Sequence, residues 1–143
     1  MADRPALLVS ACLLGVRCNH RGDASPSASV ASLDGQFRLV PCCPETAGGL
    51  PTPRPAAERQ ADGRVRTAAG DDVSAAYERG ASAALALARA VGASRAVLKA
   101  RSPSCGCRQV YDGTFTGALV SGEGVTAAAL RRAGIEVVSE EDV

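Results

Sequence analysis

The cysteines have the clearest capacity for chemistry in this chain. There are six of them in 143 residues, a share well below the roughly 8–10% of a small secreted protein held together by disulfides. Cysteine thiolates bind soft metals such as zinc and iron, and they also act as nucleophiles. In the cytoplasm structural disulfides are rare, and clustered cysteines there are more often metal ligands or catalytic groups. We therefore expect a cytoplasmic protein whose cysteines carry a chemical function.

Each main group of cysteines follows a segment that is predicted to be a strand. The strands and the cysteines that follow them are 6–10 with Cys12, 37–40 with Cys42 and Cys43, and 96–99 with Cys105 and Cys107. In an open parallel sheet the carboxyl ends of the strands share one edge, and ligands bind in the crevice just outside that edge. The three cysteine positions should therefore converge in space.

Three thiolates around one cleft would suit either zinc or an iron–sulfur cluster. The spacing is not that of a zinc finger, because no C-x₂-C pair occurs and His20 is the only histidine. The ligands would instead come from loops that are distant in sequence. If only three cysteines bind, one coordination position stays open for a substrate, as it does in catalytic zinc sites.

Groups suited to proton transfer and anion binding lie near the cysteines. Glu45 follows the Cys-Cys pair, and a carboxylate in a partly dry cleft can act as a general acid or base. Ser102 and Ser104 precede the third cysteine position, where they can contact a substrate or simply form a turn around the proline between them. Arg54 and Arg59 lie in a stretch rich in glycine and proline, and they would either hold a substrate phosphate or be solvated.

The elements that must position these residues alternate between strands and helices. Strands are predicted at residues 6–10, 37–40, 96–99 and 135–138, with Pro41 ending the second. Apolar residues at helical spacing predict helices over residues 71–91 and 124–133. This alternation predicts an α/β fold, a single-domain, three-layer, Rossmann-like parallel sheet of about four strands with flanking helices, across residues 1–143.

Capping and helix-breaking residues indicate where these elements begin and end. Asp71 or Asp72 is placed to cap the first helix, and Gly92 should end it. Thr126 is the candidate cap of the second helix. Residues 48–70 contain several glycines and prolines, and we expect them to form one long loop, a type of segment that is usually functional.

The overall composition excludes several classes of partner. Sixteen Lys and Arg against fifteen Asp and Glu leave a formal net charge of +1, so the chain lacks the basic surface that polymeric nucleic acid or an anionic membrane would require. No segment of about 20 apolar residues is present to span a membrane. The partner expected on these grounds is a small molecule.

The chain contains five ordered motifs, at residues 9–15, 43–45, 48–54, 102–106 and 111–117. Together these motifs resemble those of a bacterial family of domains of unknown function that includes thiouracil desulfidase. The resemblance runs from about residue 7 to residue 140, which is nearly the whole chain. A chance match does not explain five motifs in the same order.

The resemblance implies exchange of sulfur for oxygen on a thiolated pyrimidine such as thiouracil or its nucleotide, without net redox change and with release of sulfide. It implies a [4Fe-4S] cluster held by Cys12, Cys43 and Cys105, with one iron free for the substrate. Glu45 and Ser102 would then be the acid–base and positioning groups. All five positions match the family pattern.

The residues themselves leave two other functions open. One is a zinc-dependent hydrolase or deaminase that uses Glu45 as its base, although the H-x-E and C-x-x-C signature of zinc deaminases is missing. The other is a non-enzymatic module that binds sulfide or metal through its thiols. The sequence assigns no role to Cys18, Cys42 or Cys107 and does not determine the oligomeric state.

Overall fold

A computed structural model describes residues 4–143. The strands are β1 (Ala6–Ser10), β2 (Arg38–Cys42), β3 (Ala57–Arg59), β4 (Val65–Thr67), β5 (Arg95–Leu98), β6 (Gln109–Tyr111), β7 (Leu119–Ser121) and β8 (Glu136–Ser139). The α-helices are α1 (Ala28–Ala31), α2 (Pro44–Ala47), α3 (Ser74–Val91) and α4 (Val125–Arg132), and short 3₁₀ turns cover Ala11–Leu14, Ser32–Gly35 and Glu140–Asp142.

The central sheet has four strands in the order β2-β1-β5-β8, and all neighbouring pairs are parallel. Every residue of β1 is buried, as expected for a strand covered on both faces. Leu8 packs with α3 and α4 on one face, whereas Leu7 and Val9 pack on the other face. The predicted α/β fold with a four-stranded parallel sheet is confirmed.

The two faces of this sheet are covered by layers of different kinds. On one face lie α3 and α4, and the small side chains of Ala84 and Ala88, both fully buried, allow α3 to pack closely. On the other face lie the turn Ala11–Leu14 and the short helix α1, which contributes Val30 to the core. The predicted three layers are therefore present, but one outer layer consists of short helical turns.

The second strand extends beyond the end that the sequence predicted. Pro41 does not stop β2, because β2 is an edge strand and runs through Pro41 to Cys42. A proline lacks an N–H group, and an edge strand tolerates this where that side of the backbone has no partner strand. The expectation that the strand ends before Pro41 was wrong, and the extension brings the strand up to the cysteine pair.

The helices begin close to their predicted positions but with different caps. The first long helix begins at Ser74 with Val73 at its N-cap position, so the prediction that Asp71 or Asp72 is the cap was wrong. The Asp72 carboxylate nevertheless accepts a hydrogen bond from the backbone N–H of Ser74 at 2.9 Å. Gly92 ends this helix in the left-handed conformation, with φ at 73°. Thr126 is not the cap of α4, because Gly124 occupies that position and Thr126 is fully buried.

The sequence predicted that residues 48–70 form one long loop, and this prediction was wrong. They contain the antiparallel hairpin of β3 and β4, in which Glu58 pairs with Arg66. Only Val65 and Thr67 of this hairpin are buried, so its apolar pattern is too short to stand out in the sequence. A second antiparallel hairpin, β6–β7, follows the third cysteine position. None of the helices in residues 4–143 combines the length and the apolar character that a membrane span requires.

Candidate active site

A cavity of about 360 Å³ opens at the carboxyl edge of the central sheet. Its walls come from the segments that follow β1, β2 and β5, together with the loops beside them. Five of the six cysteines line it, namely Cys12, Cys18, Cys42, Cys43 and Cys105. The predicted convergence of the three cysteine positions is therefore present. Cys107 lies on a different cavity, beside the end of the chain.

Cys12, Cys43 and Cys105 each come from a different part of the sheet edge. Cys12 lies in the 3₁₀ turn after β1, Cys43 caps the N-terminus of α2, and Cys105 lies in the loop after β5. All three thiols face one cavity, and the remaining wall carries groups able to contact a substrate. A donor set of this kind, soft and spread over three elements, fits a metal cluster whose ligands bind different iron atoms.

The same donors fit a single zinc ion less well. A zinc site needs all its ligands within about 2.3 Å of one point when they are thiolates. In the part of the chain that the structure describes, no group of three or more His, Cys, Asp or Glu side chains is placed to hold a metal ion. Three cysteines on three separate elements can instead each bind a different iron atom of a cluster.

Burial keeps four of the cavity thiols, those of Cys12, Cys18, Cys42 and Cys105, protonated in the free protein. It raises the pKa of Cys12 to about 11 and that of Cys105 to about 12, with the neighbouring Cys43 as a second cause for Cys12. Burial also raises the pKa of Cys18 to about 12 and that of Cys42 to about 11. Since metals bind the thiolate form, filling the site must displace the protons of Cys12 and Cys105.

Ser102 shapes the loop that carries Cys105. Its Oγ accepts hydrogen bonds from the backbone N–H groups of Ser104 at 3.1 Å and of Cys105 at 3.0 Å. A serine hydroxyl has two acceptor lone pairs and one donor hydrogen. Because both acceptor positions are occupied and Ser102 lines the cavity, its hydroxyl can meet a bound molecule only as a donor.

Ser104 lies behind the loop and does not face the cavity. It is 1% exposed, and its Oγ is 2.9 Å from Oγ1 of Thr126 in α4. The carbonyl of Ser104 also accepts hydrogen bonds from the backbone N–H groups of Thr126 and Ala127. Ser104 therefore connects the cysteine loop to the helix layer, and this position does not fit the expectation that it binds substrate.

Glu45 is held by two side-chain donors, Arg54 from the loop after α2 and Tyr77 from α3. Its Oε2 accepts a hydrogen bond from Nε of Arg54 at 2.9 Å and another from the hydroxyl of Tyr77 at 2.9 Å. Only 15% of the Glu45 side chain and 4% of the Arg54 side chain are exposed. Burial is the largest single effect on Arg54 and by itself would lower its pKa. The charge of Glu45 and its hydrogen bond, with smaller contributions from Cys43 and Tyr77, together exceed that effect and raise the pKa.

The guanidinium of Arg54 donates most of its hydrogen bonds to other groups of the protein. Besides Glu45, it donates to the carbonyl oxygens of Pro51 at 3.2 Å and of Cys18 at 2.8 Å, and to Oγ1 of Thr52 at 3.1 Å. With four of its five N–H groups taken, Arg54 is not arranged to hold a phosphate in a bidentate manner.

Arg59 also departs from the expected phosphate clamp. Its guanidinium donates to the backbone carbonyl of Glu123, and Arg59 is not among the residues that line the cavity in the described chain. Neither Arg54 nor Arg59 is therefore placed to bind a substrate phosphate.

The short helix that carries Glu45 packs on α3 without intervening side chains. A Cβ atom on Gly48 would lie 2.0 Å from the carbonyl oxygen of Ala76 in α3. Glycine is required at such a close approach of two backbones. This contact brings Tyr77 within reach of Glu45.

Two site residues, Tyr77 and Lys99, were not identified from the sequence. Tyr77 follows the apolar pattern of α3, which gives no sign that its hydroxyl reaches a carboxylate 32 positions away. Lys99, the only lysine of the chain, lines the cavity, and its Nζ lies 2.9 Å from Oε2 of Glu140. Two features of the sequence could have identified Lys99: it is the only lysine, and it lies at the end of a predicted strand.

The chain is similar to known proteins over nearly its whole length. A model of the family described as 2-thiouracil desulfurase matches residues 7–142. Among curated proteins, the uncharacterized protein YbbK of Bacillus subtilis (strain 168) is 40% identical over 146 residues, covering 96% of this chain and 97% of YbbK. Among solved structures, the [4Fe-4S]-dependent thiouracil desulfidase TudS is 46% identical with a TM-score of 0.91, covering 98% of this chain and 93% of that chain.

Proposed function

Because this chain belongs to the 2-thiouracil desulfurase family, we propose that it replaces the sulfur of a thiolated pyrimidine with oxygen and releases sulfide. The observation that carries this proposal is the shared cavity of Cys12, Cys43, Cys105, Glu45 and Ser102. Those residues supply soft metal ligands, a carboxylate and a hydroxyl donor around one cavity. A solved relative at 46% identity is described as [4Fe-4S]-dependent, which agrees with this donor set.

Cys12, Cys43 and Cys105 are the residues that would hold a [4Fe-4S] cluster in this cavity. Three protein ligands leave one iron without a cysteine, by the same principle that separates catalytic from structural metal sites. When bound, the cluster supplies a soft Lewis acid that attracts the thiocarbonyl sulfur and makes the adjoining carbon more electrophilic.

Glu45 would manage the protons of the attacking water. In the overall reaction, the oxygen of water forms a bond to the thiocarbonyl carbon, the carbon–sulfur bond breaks with its electron pair, and sulfur leaves as hydrosulfide. No electrons are gained or lost overall. The carboxylate of Glu45 lines the cavity next to the cysteines, and it would take a proton from the water as the new carbon–oxygen bond forms.

Ser102 would orient the substrate. Its two acceptor positions are filled by backbone N–H groups, so its hydroxyl hydrogen is available to an acceptor on the pyrimidine. A preorganised donor of this kind stabilises negative charge that develops on the ring during attack.

The substrate proposed is a small thiolated base or its nucleotide. The cavity of about 360 Å³ is within the roughly 300–1,000 Å³ of small-molecule sites.

The six cysteines are all unpaired, and this supports the proposal of a cytoplasmic location, where thiols stay reduced.

The test is metal analysis and turnover on protein purified without oxygen. We expect iron and acid-labile sulfide at about four each per chain, a visible absorption band, and formation of uracil and sulfide from 2-thiouracil in equal amounts. In ¹⁸O-labelled water, the new oxygen of uracil should carry the label. A protein with a full cluster that forms neither product from thiouracil or its nucleotide would contradict the proposal, as would stoichiometric zinc without a visible band.

A further inference from the structure

The hydroxyl of Tyr77 is buried and bonded to the carboxylate of Glu45. Tyr77 is 2% exposed, and its hydroxyl donates to Oε2 of Glu45 at 2.9 Å. Burial raises the pKa of Tyr77, and the charge of Glu45 raises it further. The hydroxyl therefore stays protonated and acts as a hydrogen-bond donor, as a buried tyrosine hydroxyl normally does.

The two donors to Glu45 both act on the same oxygen atom. Arg54 donates to Oε2 from the loop that follows α2, and its own guanidinium is fixed by hydrogen bonds to Pro51, Thr52 and Cys18. Neither of these donors contacts Oε1. The carboxylate is thus anchored through one oxygen, and the other is left for chemistry in the cavity.

The anchor from Tyr77 connects the helix layer to the cavity. Tyr77 belongs to α3, and the backbone contact of Gly80 in that helix with Pro44 fixes the distance between α3 and the start of α2. The tyrosine ring therefore sits on a rigid element, whereas a glutamate side chain by itself rotates about three bonds. A misplacement of about 1 Å at a reacting group can cost about 100-fold in rate.

We propose that Tyr77 is a positioning residue that, together with Arg54, fixes Oε2 of Glu45 so that Oε1 is the atom that exchanges protons with the attacking water. This inference rests on the proposed function, since it assumes that Glu45 manages those protons. It assigns no contact between Tyr77 and the substrate. Its effect should therefore be on the rate of the chemical step and not on substrate binding.

The test compares Tyr77→Phe with the unmodified protein, both purified without oxygen and carrying the cluster. Phenylalanine keeps the buried ring and removes only the hydroxyl. We expect kcat for 2-thiouracil to fall about tenfold while KM changes less than about twofold. The iron content and the visible absorption spectrum should be unchanged.

Arg79→Gln is the matched control for general loosening of the helix contact. Arg79 lies on the same helix and donates from Nε to the carbonyl of Gly48 at 3.1 Å, so it joins α3 to the end of α2 without contacting Glu45. We expect its kcat to stay within about twofold of the unmodified protein.

The outcomes separate this inference from the proposed function. An unchanged kcat in Tyr77→Phe overturns the inference, as does an equal loss in Arg79→Gln, a rise in KM that accounts for the whole effect, or a loss of the cluster. Glu45→Gln tests the assumption beneath it. If Glu45→Gln retains full kcat, the role of Glu45 in the proposed function fails, whatever the result for Tyr77→Phe.

Discussion

The carbonyl oxygen of Pro44 lies 2.0 Å from the position that a Cβ atom on Gly80 would occupy. Helices α2 and α3 therefore touch through their backbones, and no side chain at position 80 fits without moving the segment that carries Glu45. Glycine inside a helix normally costs about 1 kcal/mol relative to alanine. At position 80 an alanine would gain this helix propensity but would clash with the Pro44 carbonyl, and the clash is the larger effect.

Gly80→Ala should consequently destabilise the protein, against the direction of helix propensity. Overpacking of this kind costs about 1–3 kcal/mol, and α2 must shift to relieve it. We expect a lower Tm in thermal unfolding followed by circular dichroism, together with a lower kcat. Gly35→Ala is the matched control, because nothing lies within 4 Å of a Cβ at Gly35. A Gly80→Ala protein with an unchanged or higher Tm would show that the contact is looser than described.

Substitution of the three proposed ligands should remove the cluster. Cys12→Ala, Cys43→Ala and Cys105→Ala each delete one thiolate from the cavity, and we expect each variant to lose most of its iron and its visible absorption. Cys107→Ser is the control, because Cys107 lines the other cavity. We expect this variant to keep its full iron content. Iron analysis after anaerobic reconstitution decides the assignment. Full iron content in any of the three alanine variants would exclude that cysteine as a ligand.

The position of the cysteines could be predicted because it depends on local patterns. An apolar run that ends just before a cysteine marks the carboxyl end of a strand, and parallel pairing then brings such ends to one edge. Cys12 and Cys105 required only this rule. The predicted end at Pro41 failed because the sequence does not state that β2 lies at the edge of the sheet, where a proline is tolerated.

The environment of Glu45 could not be predicted in this way. Its two donors lie 9 and 32 positions away, and they meet it only because the α2–α3 contact fixes how a loop and a helix are placed. Arg54 was expected to face a phosphate, since the sequence shows its charge but not its buried partner. Tyr77 satisfied an apolar helical pattern, and that pattern does not reveal where a hydroxyl points.

The carboxylate of Asp72 should make stability depend on pH in acid. Hydrogen bonds from the side chain and backbone of Ser74, and then the Arg64 guanidinium, hold the pKa of Asp72 well below its ordinary value. A group with a lowered pKa in the folded state stabilises the protein above its unfolded pKa, and this stabilisation is lost as pH falls toward the folded value.

Asp72→Asn should therefore lower Tm at pH 7 and lower it less at about pH 2, well below the ordinary aspartate pKa of about 3.9. Thermal unfolding of both proteins at the two pH values measures this difference. Asp71→Asn, which changes the neighbouring carboxylate, controls for the loss of one negative charge. An equal loss of Tm at both pH values would mean that the negative charge of Asp72 does not contribute to stability and that only the shape of its side chain does.

Ser102 should prove essential for turnover through its hydroxyl hydrogen. Its Oγ already accepts from Ser104 and Cys105, so Ser102→Ala removes both the support of the cysteine loop and the donor to the substrate. We expect kcat to fall about 100-fold, the usual cost of losing a preorganised donor. Ser102→Thr keeps the hydroxyl and should recover most of that loss, with iron content measured in both variants to separate cluster loss from catalytic loss. If Ser102→Ala keeps its iron and its kcat, the hydroxyl has only a structural role in the loop.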